Sequence, residues 1–435
     1  MHDTKTIHML YGREGMTLRV PATTVVPEGT APEPLRDPCA AIAAALATPI
    51  GSPALAELLA RKRPRTVAVT ISDVTRPVPN REFLPALLEV LNKAGIPDRQ
   101  IVIIVGTGMH RPSTVAEWQS LVGPEVFGRV EVVDHRAEDP DTLVKVSDTP
   151  PVYVCRRFAE ADFRIVTGYI EPHFMAGFSG GRKGVCPALV DLRTVQRFHG
   201  YETLANPKAE NGVLDGNPCH EIALRVARTV GVDFLFNVAI TRDRRMAAVF
   251  CGDLEAAHLA GCRQVAEWTT AQIEGTFDLV VTNGGGYPLD QVFYQAVKGM
   301  CTALPALGPD STLLQVSHCG EGLGSRAFTE LVFEYGRDWQ RFLADIAAHR
   351  DETRLDQWEF QMRTRVLARI GRERLCFVTD GLAPDVQQRI ALNPVLGPGD
   401  AHARAQRFID EFLAAHPQAR VAIIPDGPYT MLRRG

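Results

Sequence analysis

Short β-branched runs, each followed by a polar loop and a helical stretch, recur along this chain and constrain its fold more than any other feature. Thr66–Ile71 is one such run. It leads into SDVTRPVPN and then a helix over 81–94, with apolar residues at 83, 84, 87, 88, 90 and 91 and a stop at Gly95. Ile101–Val105 is apolar throughout and leads into GTGMHRP and a helical stretch, Ser113–Leu121, that opens with a Ser–Thr pair. Val130–Val133 and Phe163–Thr167 are further strands. Apolar strands alternating with helices predict a doubly wound, mostly parallel sheet covered on both faces. Ligands of such sheets sit beyond the carboxyl ends of the strands. The loops 72–80, 106–112 and 168–184 all follow strands, so they can converge on one crevice.

Elsewhere, residues 5–21 alternate like a hairpin turning at Gly12–Gly15, and 22–37 read as a connector. Cys39–Ala47, Ala54–Lys62 and 219–229 are helical, Asp233–Ile240 is a strand, and 253–273 reads as a linker helix. A second α/β pattern follows, with strands Phe277–Thr282, Thr312–Ser317, Leu375–Asp380 and Arg420–Pro425. Helices are expected near 290–302, 326–348, 358–370 and 399–415. A chain of 435 residues exceeds one core, so two α/β domains are expected, 1–272 and 273–435.

The net charge of −4 leaves no basic footprint for nucleic acid. No apolar run has the length of a membrane span, and MHDTKTIHML lacks a signal-peptide pattern. Nine cysteines, spread from Cys39 to Cys376 without a C-x-x-C pair, suit a reducing cytoplasm and argue against a cysteine-ligated metal site. A cytoplasmic location is expected.

Chemistry concentrates in Gly168–His199, GYIEPHFMAGFSGGRKGVCPALVDLRTVQRFH. Gly177, Gly180, Gly181 and Gly184 surround Arg182 and Lys183, so backbone amides can approach a ligand. A lysine there can reach a phosphate, act as a base, or link covalently to a cofactor. His173 and His199 suit metal ligation or acid–base work. A glycine-rich surface turn is the plainer reading. GFSGG fits a nucleophile elbow at Ser179, but the strand ends well before it, with Pro172 between. A phosphate-binding loop fails too, because Arg182 stands where a glycine belongs and Gly184 where Ser or Thr must hold magnesium.

Asp73, Thr75 and Arg76 follow the first strand, and the arginine fork suits a carboxylate or phosphate. The plainer reading is an Asx-turn with a solvated arginine. His110 lies beyond the carboxyl end of an apolar strand, a good place for chemistry. NGGGYPLDQVFYQAVKGM is no dinucleotide fingerprint, since Leu289 replaces the last glycine. Tyr294, Gln295 and Lys298 share a helical face there, and Asp290 could cap that helix. An ordinary amphipathic helix with a solvated lysine is the alternative. His318 and Glu321 are a possible cleft wall; His135, His220, His258, His349, His402 and His416 read as structural.

Together these loops resemble the nickel-pincer-nucleotide-dependent lactate racemases and related 2-hydroxyacid racemases and epimerases. The resemblance runs over about 60–435 and is carried by SDVTRP, GTGMHRP, GYIEPHFMAGFSGGRKGVCPAL, FHG at 198–200, GGGYPLDQVFYQAVKGM and DQWEFQ at 356–361. It implies an N-terminal cofactor-binding domain and a C-terminal domain closing over a site in the cleft between them. It also implies a pyridinium-3,5-bisthiocarboxylic acid mononucleotide whose two sulfurs and a ring carbon hold nickel. By motif, Lys183 matches the lysine joined to that nucleotide through a thioamide, and His199 the nickel ligand. His110 and His173 match the paired acid–base histidines. Arg76 and Lys298 match the groups that anchor substrate. Asp73, Thr75, Gly180, Gly181, Tyr294, Gln295 and Trp358 match residues around the cofactor. Met175 stands beside the place where true lactate racemases commonly carry a bulky aromatic, a departure that bears on the substrate.

The implied reaction racemises a 2-hydroxyacid by hydride removal and return, and two histidines suit its two faces. A sulfur transferase and a nickel insertase are the implied maturation partners; nucleic acid and membrane are not. The rival within the class is an epimerase of a longer or more polar acid, such as gluconate or malate. Rivals outside it are a serine hydrolase at Ser179 and a non-catalytic nucleotide- or nickel-binding protein.

Overall fold

The structure, a computed structural model, describes residues 3–435. The chain forms two compact units. One comprises Ala31–His199 and Lys208–Trp268; the other comprises Met1–Thr30, Gly200–Pro207 and Thr269–Gly435. The last crossing lies close to the sequence boundary at 272/273, but two segments from inside 1–272 stand with the C-terminal unit.

The first unit is built on a six-stranded sheet. Its spatial order is Met246–Gly252, Phe234–Ile240, Phe163–Tyr169, Val67–Ser72, Ile101–Gly106, Glu131–Asp134. All neighbours are parallel except the first pair. From Val67–Ser72 the chain steps outward through the two strands on one side, then returns to the other side with Phe163–Tyr169. That reversal is the switch point at which such sheets bind ligands. The helix Asn80–Lys93 buries Phe83, Leu84, Leu87, Leu88 and Leu91 in one core with Val67, Val69, Ile71, Ile103 and Val105. The helix Val115–Val122 starts at a capping box of Thr114 and Glu117.

The second unit holds a five-stranded parallel sheet ordered Asn393–Pro394, Leu375–Val378, Leu307–Val316, Phe277–Asn283, Val421–Ile423. The hairpin Thr4–Met9/Met16–Pro21 forms as expected. Its Met9, Met16, Leu18 and Val20 share a core with Leu279, Val281, Leu314 and Val316.

Two expectations change, and one element is new. The linker helix 253–273 is a helix only over Leu254–Thr269; Thr270–Ile273 is a strand paired with Met431–Arg434. The helix expected over 326–348 is two, Arg326–Tyr335 and Trp339–Ala348, because Gly336 turns out at φ 53° and Asp338 caps a new start. The hairpin Leu143–Asp148/Pro151–Cys155 had no clear sequence signal. Among the described residues no helix is long and apolar enough to cross a membrane.

Candidate active site

Three loops leave the strands around the switch point, and the first two are tied together by a carboxylate. Asp73 Oδ2 lies 2.5 Å from His110 Nδ1. Its Oδ1 accepts from Thr75 N at 3.2 Å and Thr75 Oγ1 at 2.6 Å, which is also the Asx-turn of the plainer reading. A carboxylate only accepts, so His110 carries its proton on Nδ1 and presents a lone pair on Nε2. Burial pushes the Asp73 pKa up, but hydrogen bonds from His110 and Thr75, with the charge of Arg76, outweigh it and hold the carboxyl below its ordinary value. The His110 side chain is 58% exposed against 8% for Asp73, so the histidine, not the acid, can meet a substrate. Sequence placed Asp73 beside a cofactor; its oxygens are committed to His110 and Thr75.

The third loop folds back as a short ladder of Pro172–His173 with Gly177–Phe178. Inside it, His173 Nδ1 accepts from Met175 N at 3.3 Å and Ala176 N at 3.2 Å. His173 Nε2 lies 3.0 Å from Lys183 Nζ. Glu171 Oε1 lies 3.5 Å from Arg76 Nη1, linking this loop to the first. Lys183 rides on the turn Gly181–Gly184. Gly180 and Gly181 have φ of 71° and 54°, and a Cβ on Gly181 would stand 2.5 Å from the His258 ring. These glycines are therefore required by the turn itself. Gly181 N donates to Asn237 Oδ1 at 2.7 Å, and the buried Arg182 donates to Ala176 O at 2.7 Å.

Ser179 is not placed as a nucleophile. Its hydroxyl donates to Tyr169 O and accepts from Glu171 N, both at 2.9 Å. A histidine does stand beside it, but His258 Nε2 meets the Ser179 carbonyl, at 3.0 Å. The hydroxyl staples the loop, which removes the hydrolase reading.

His199 caps the end of the helix Leu192–Phe198. Its Nδ1 lies 3.0 Å from Val195 O, an acceptor, so Nδ1 donates and Nε2 keeps the lone pair. Burial, the largest cause, pushes its pKa down to about 3. A neutral imidazole oriented by a carbonyl is the form that ligates metal. Among the described residues no group of three or more His, Cys, Asp or Glu could hold a metal ion. The donor chemistry fits the nickel nucleotide that the resemblance implies: one neutral imidazole from the protein, the remaining donors from the nucleotide, and an amine on a glycine turn to tether it.

In the second unit, Tyr294, Gln295 and Lys298 lie on the helix Phe293–Ala303. Trp358 Nε1 donates to Tyr294 Oη at 2.7 Å, which joins two of the expected residues. Gln295 Oε1 is buried without a partner among the described residues. Asp290 does not cap that helix; its Oδ2 accepts from Gly12 N at 2.7 Å and His318 N at 3.3 Å.

Sequence reasoning missed three supports. Glu171 gave no signal. Asn237, an amide inside the apolar strand FLFNVAI, was the visible oddity. Asn217 caps the helix Pro218–Val230 and donates to Met175 O at 2.9 Å; an Asn before Pro is a readable helix start.

A doubly wound unit with two oriented histidines, an arginine and a lysine at its switch point is the architecture of an α/β enzyme. Residues 11–212 match the family model of the lactate racemase N-terminal domain, and 273–431 that of the lactate racemase C-terminal domain. The chain is 35% identical over 386 residues to a lactate racemase of Lactiplantibacillus plantarum, covering 88% of each. It is 32% identical over 393 residues to one of Thermoanaerobacterium thermosaccharolyticum, covering 89% of each. The structure matches that of the lactate racemase apoprotein from Thermoanaerobacterium thermosaccharolyticum with a TM-score of 0.90 at 29% identity, over 99% of this chain and 100% of that one. A crystal structure of a Thermotoga maritima protein, 16% identical with a TM-score of 0.64 over 89% of this chain, shares the fold. This chain belongs to the lactate racemase family and is an isomerase of the racemase type.

Proposed function

We propose that this protein interconverts the enantiomers of lactate or a closely related 2-hydroxyacid, using a nickel-pincer nucleotide tethered at Lys183. The observation that carries the reading is the switch-point constellation: Asp73 orienting His110 on one loop, and His173 beside Lys183 on another. When bound, the nucleotide would supply a reversible hydride acceptor, with His199 Nε2 as the protein's nickel ligand.

The chain's own residues do the rest. Arg76 takes the substrate carboxylate through its fork, exchanging Glu171 for the ligand. His110 Nε2 removes the hydroxyl proton, and the Asp73 carboxylate balances the imidazolium that forms. His173 serves the opposite face. Lys298 is the second unit's candidate for steadying the carboxylate or the developing alkoxide, and Tyr294, Gln295 and Trp358 are that unit's candidates for the cofactor. Thr75 holds Asp73, and the Gly180–Gly181 backbone leaves room for the nucleotide. Met175 helps to wall the substrate's distal atoms; as a flexible side chain it admits more shapes than a fixed aromatic.

The test uses protein co-expressed with a sulfur transferase and a nickel insertase. Intact mass should show a covalent adduct that Lys183→Ala abolishes, with nickel present. On 2-deuterated lactate the product should invert while keeping its Cα deuterium. Washout of deuterium into solvent during inversion would sink hydride transfer. Faster turnover of malate or gluconate than of lactate would move the substrate to the longer acids.

A further inference from the structure

We propose that in the cofactor-free protein His173 holds Lys183 as the uncharged amine, ready for acylation, and that acylation then releases His173 for the substrate. The proposal rests on reading Lys183 as the attachment site.

The argument starts at His173 Nδ1. Two backbone N–H groups, from Met175 at 3.3 Å and Ala176 at 3.2 Å, point at that nitrogen. A proton on Nδ1 would face both of them, which excludes the Nδ1–H tautomer and the imidazolium alike. The ring is therefore neutral, with its proton on Nε2. Nε2 lies 3.0 Å from Lys183 Nζ. An ammonium has three N–H groups and no lone pair, so it would set N–H against N–H. Only the amine can accept. Nε2–H donates to Nζ, and the lysine is held as a nucleophile.

The Phe198 ring centre lies 5.5 Å from Lys183 Nζ. Burial pushes the Cys186 thiol up to about 12, so that group is not a thiolate.

The acylation balances without an oxidant. The amine lone pair attacks the carbon of a thiocarboxylic acid, a C–N bond forms and the C–O bond breaks. The oxygen leaves as water with one proton from the amine and one from the acid, giving a thioamide that keeps one N–H. A thioamide nitrogen shares its lone pair with the C=S group and is no acceptor. His173 Nε2–H then loses its partner, and the ring becomes available at the substrate. Attachment of the cofactor thus turns a positioning residue into a catalytic one.

The test treats apoprotein, from a host without the maturation enzymes, briefly with N-hydroxysuccinimidyl acetate between pH 7 and 9 and reads acetylation at each lysine by peptide mass spectrometry. An ordinary lysine, with a pKa of about 10.4, gains roughly tenfold in free amine per pH unit over that range. Free Nα-acetyllysine in the same mixture should show that slope. Lys183 should change by less than about threefold across the whole range, because its amine is already free. His173→Phe should restore the ordinary slope, and His173→Gln, which keeps an N–H near the Nε2 position, should hold it flat. Nitrogen NMR of the wild-type apoprotein with labelled histidine should find His173 protonated on Nε2 alone at pH 7. An ordinary slope at Lys183 in the wild type, or a proton on Nδ1, overturns the proposal whether or not the variants fold. Absence of an adduct on Lys183 in co-expressed protein is a different result and overturns the attachment reading itself.

Discussion

At the scale of single residues, the two histidines are oriented by different means. His110 is fixed by a carboxylate from a loop 37 residues away, and His173 by the backbone of its own turn. His110 is therefore the one that a single side-chain change can misorient. In Asp73→Asn the amide could offer its N–H₂ to Nδ1, which would move the ring proton to Nε2 and hide the lone pair. We expect kcat of loaded enzyme to fall by roughly 10²–10⁴, with little change in KM because Arg76, the proposed carboxylate anchor, remains. Steady-state kinetics within threefold of wild type would remove the orienting role. The same pair predicts acid behaviour. The folded Asp73 carboxyl titrates below its unfolded value, so its stabilisation is fully present above about pH 4 and is lost as pH falls through the folded value. The variant should lose less stability than wild type on acidification below pH 4. Both residues were legible as post-strand polar groups. Their pairing was not, because nothing in either loop encodes the distance between them.

Among the elements, the turn carrying Lys183 is held by steric and polar constraints. Gly181 combines a φ of 54° with a site where any Cβ meets the His258 ring at 2.5 Å, and that ring is itself packed against Arg182 at 3.1 Å. Gly181→Ala should cost about 1–3 kcal/mol, from the strained backbone and from overpacking together. Urea unfolding of apoprotein checks this; a cost below about 0.5 kcal/mol would show that the turn can relax. The long apolar strands were readable because a parallel sheet buries both faces, which leaves unbroken β-branched runs. The hairpin Leu143–Asp148/Pro151–Cys155 was not, since its Lys145, Asp148 and Tyr153 face solvent and dilute the pattern. The break at Gly336 lay inside a continuing helical periodicity. The support of the lysine turn by Asn237 was unreadable for another reason: its partner is a backbone N–H, and no sequence pattern records that.

For the whole molecule, the lesson lies in segments that leave their neighbours in sequence. A single cut near 272 cannot show that Gly200–Pro207 belongs with the C-terminal unit. There Gln361 Nε2 donates to Tyr201 O and Arg365 Nη2 to Asn206 O, both at 3.0 Å. The N-terminal hairpin returns in the same way. Leu18 is fully buried and packs in one core with Leu279, Val281 and Ile409, although more than two hundred and fifty residues separate it from them. Leu18→Ala should therefore cost about 2–5 kcal/mol, the range for emptying a buried leucine site. The loss should be local to one unit. Hydrogen exchange should quicken in Phe277–Asn283 and Ala401–Ala415, whose apolar residues form that core. It should stay unchanged in Val67–Ser72 and Ile101–Gly106, whose core contains no residue of the hairpin. Equal acceleration in both sets of elements would mean that the two units unfold as one, and that the N-terminal hairpin stabilises the whole chain instead of one unit.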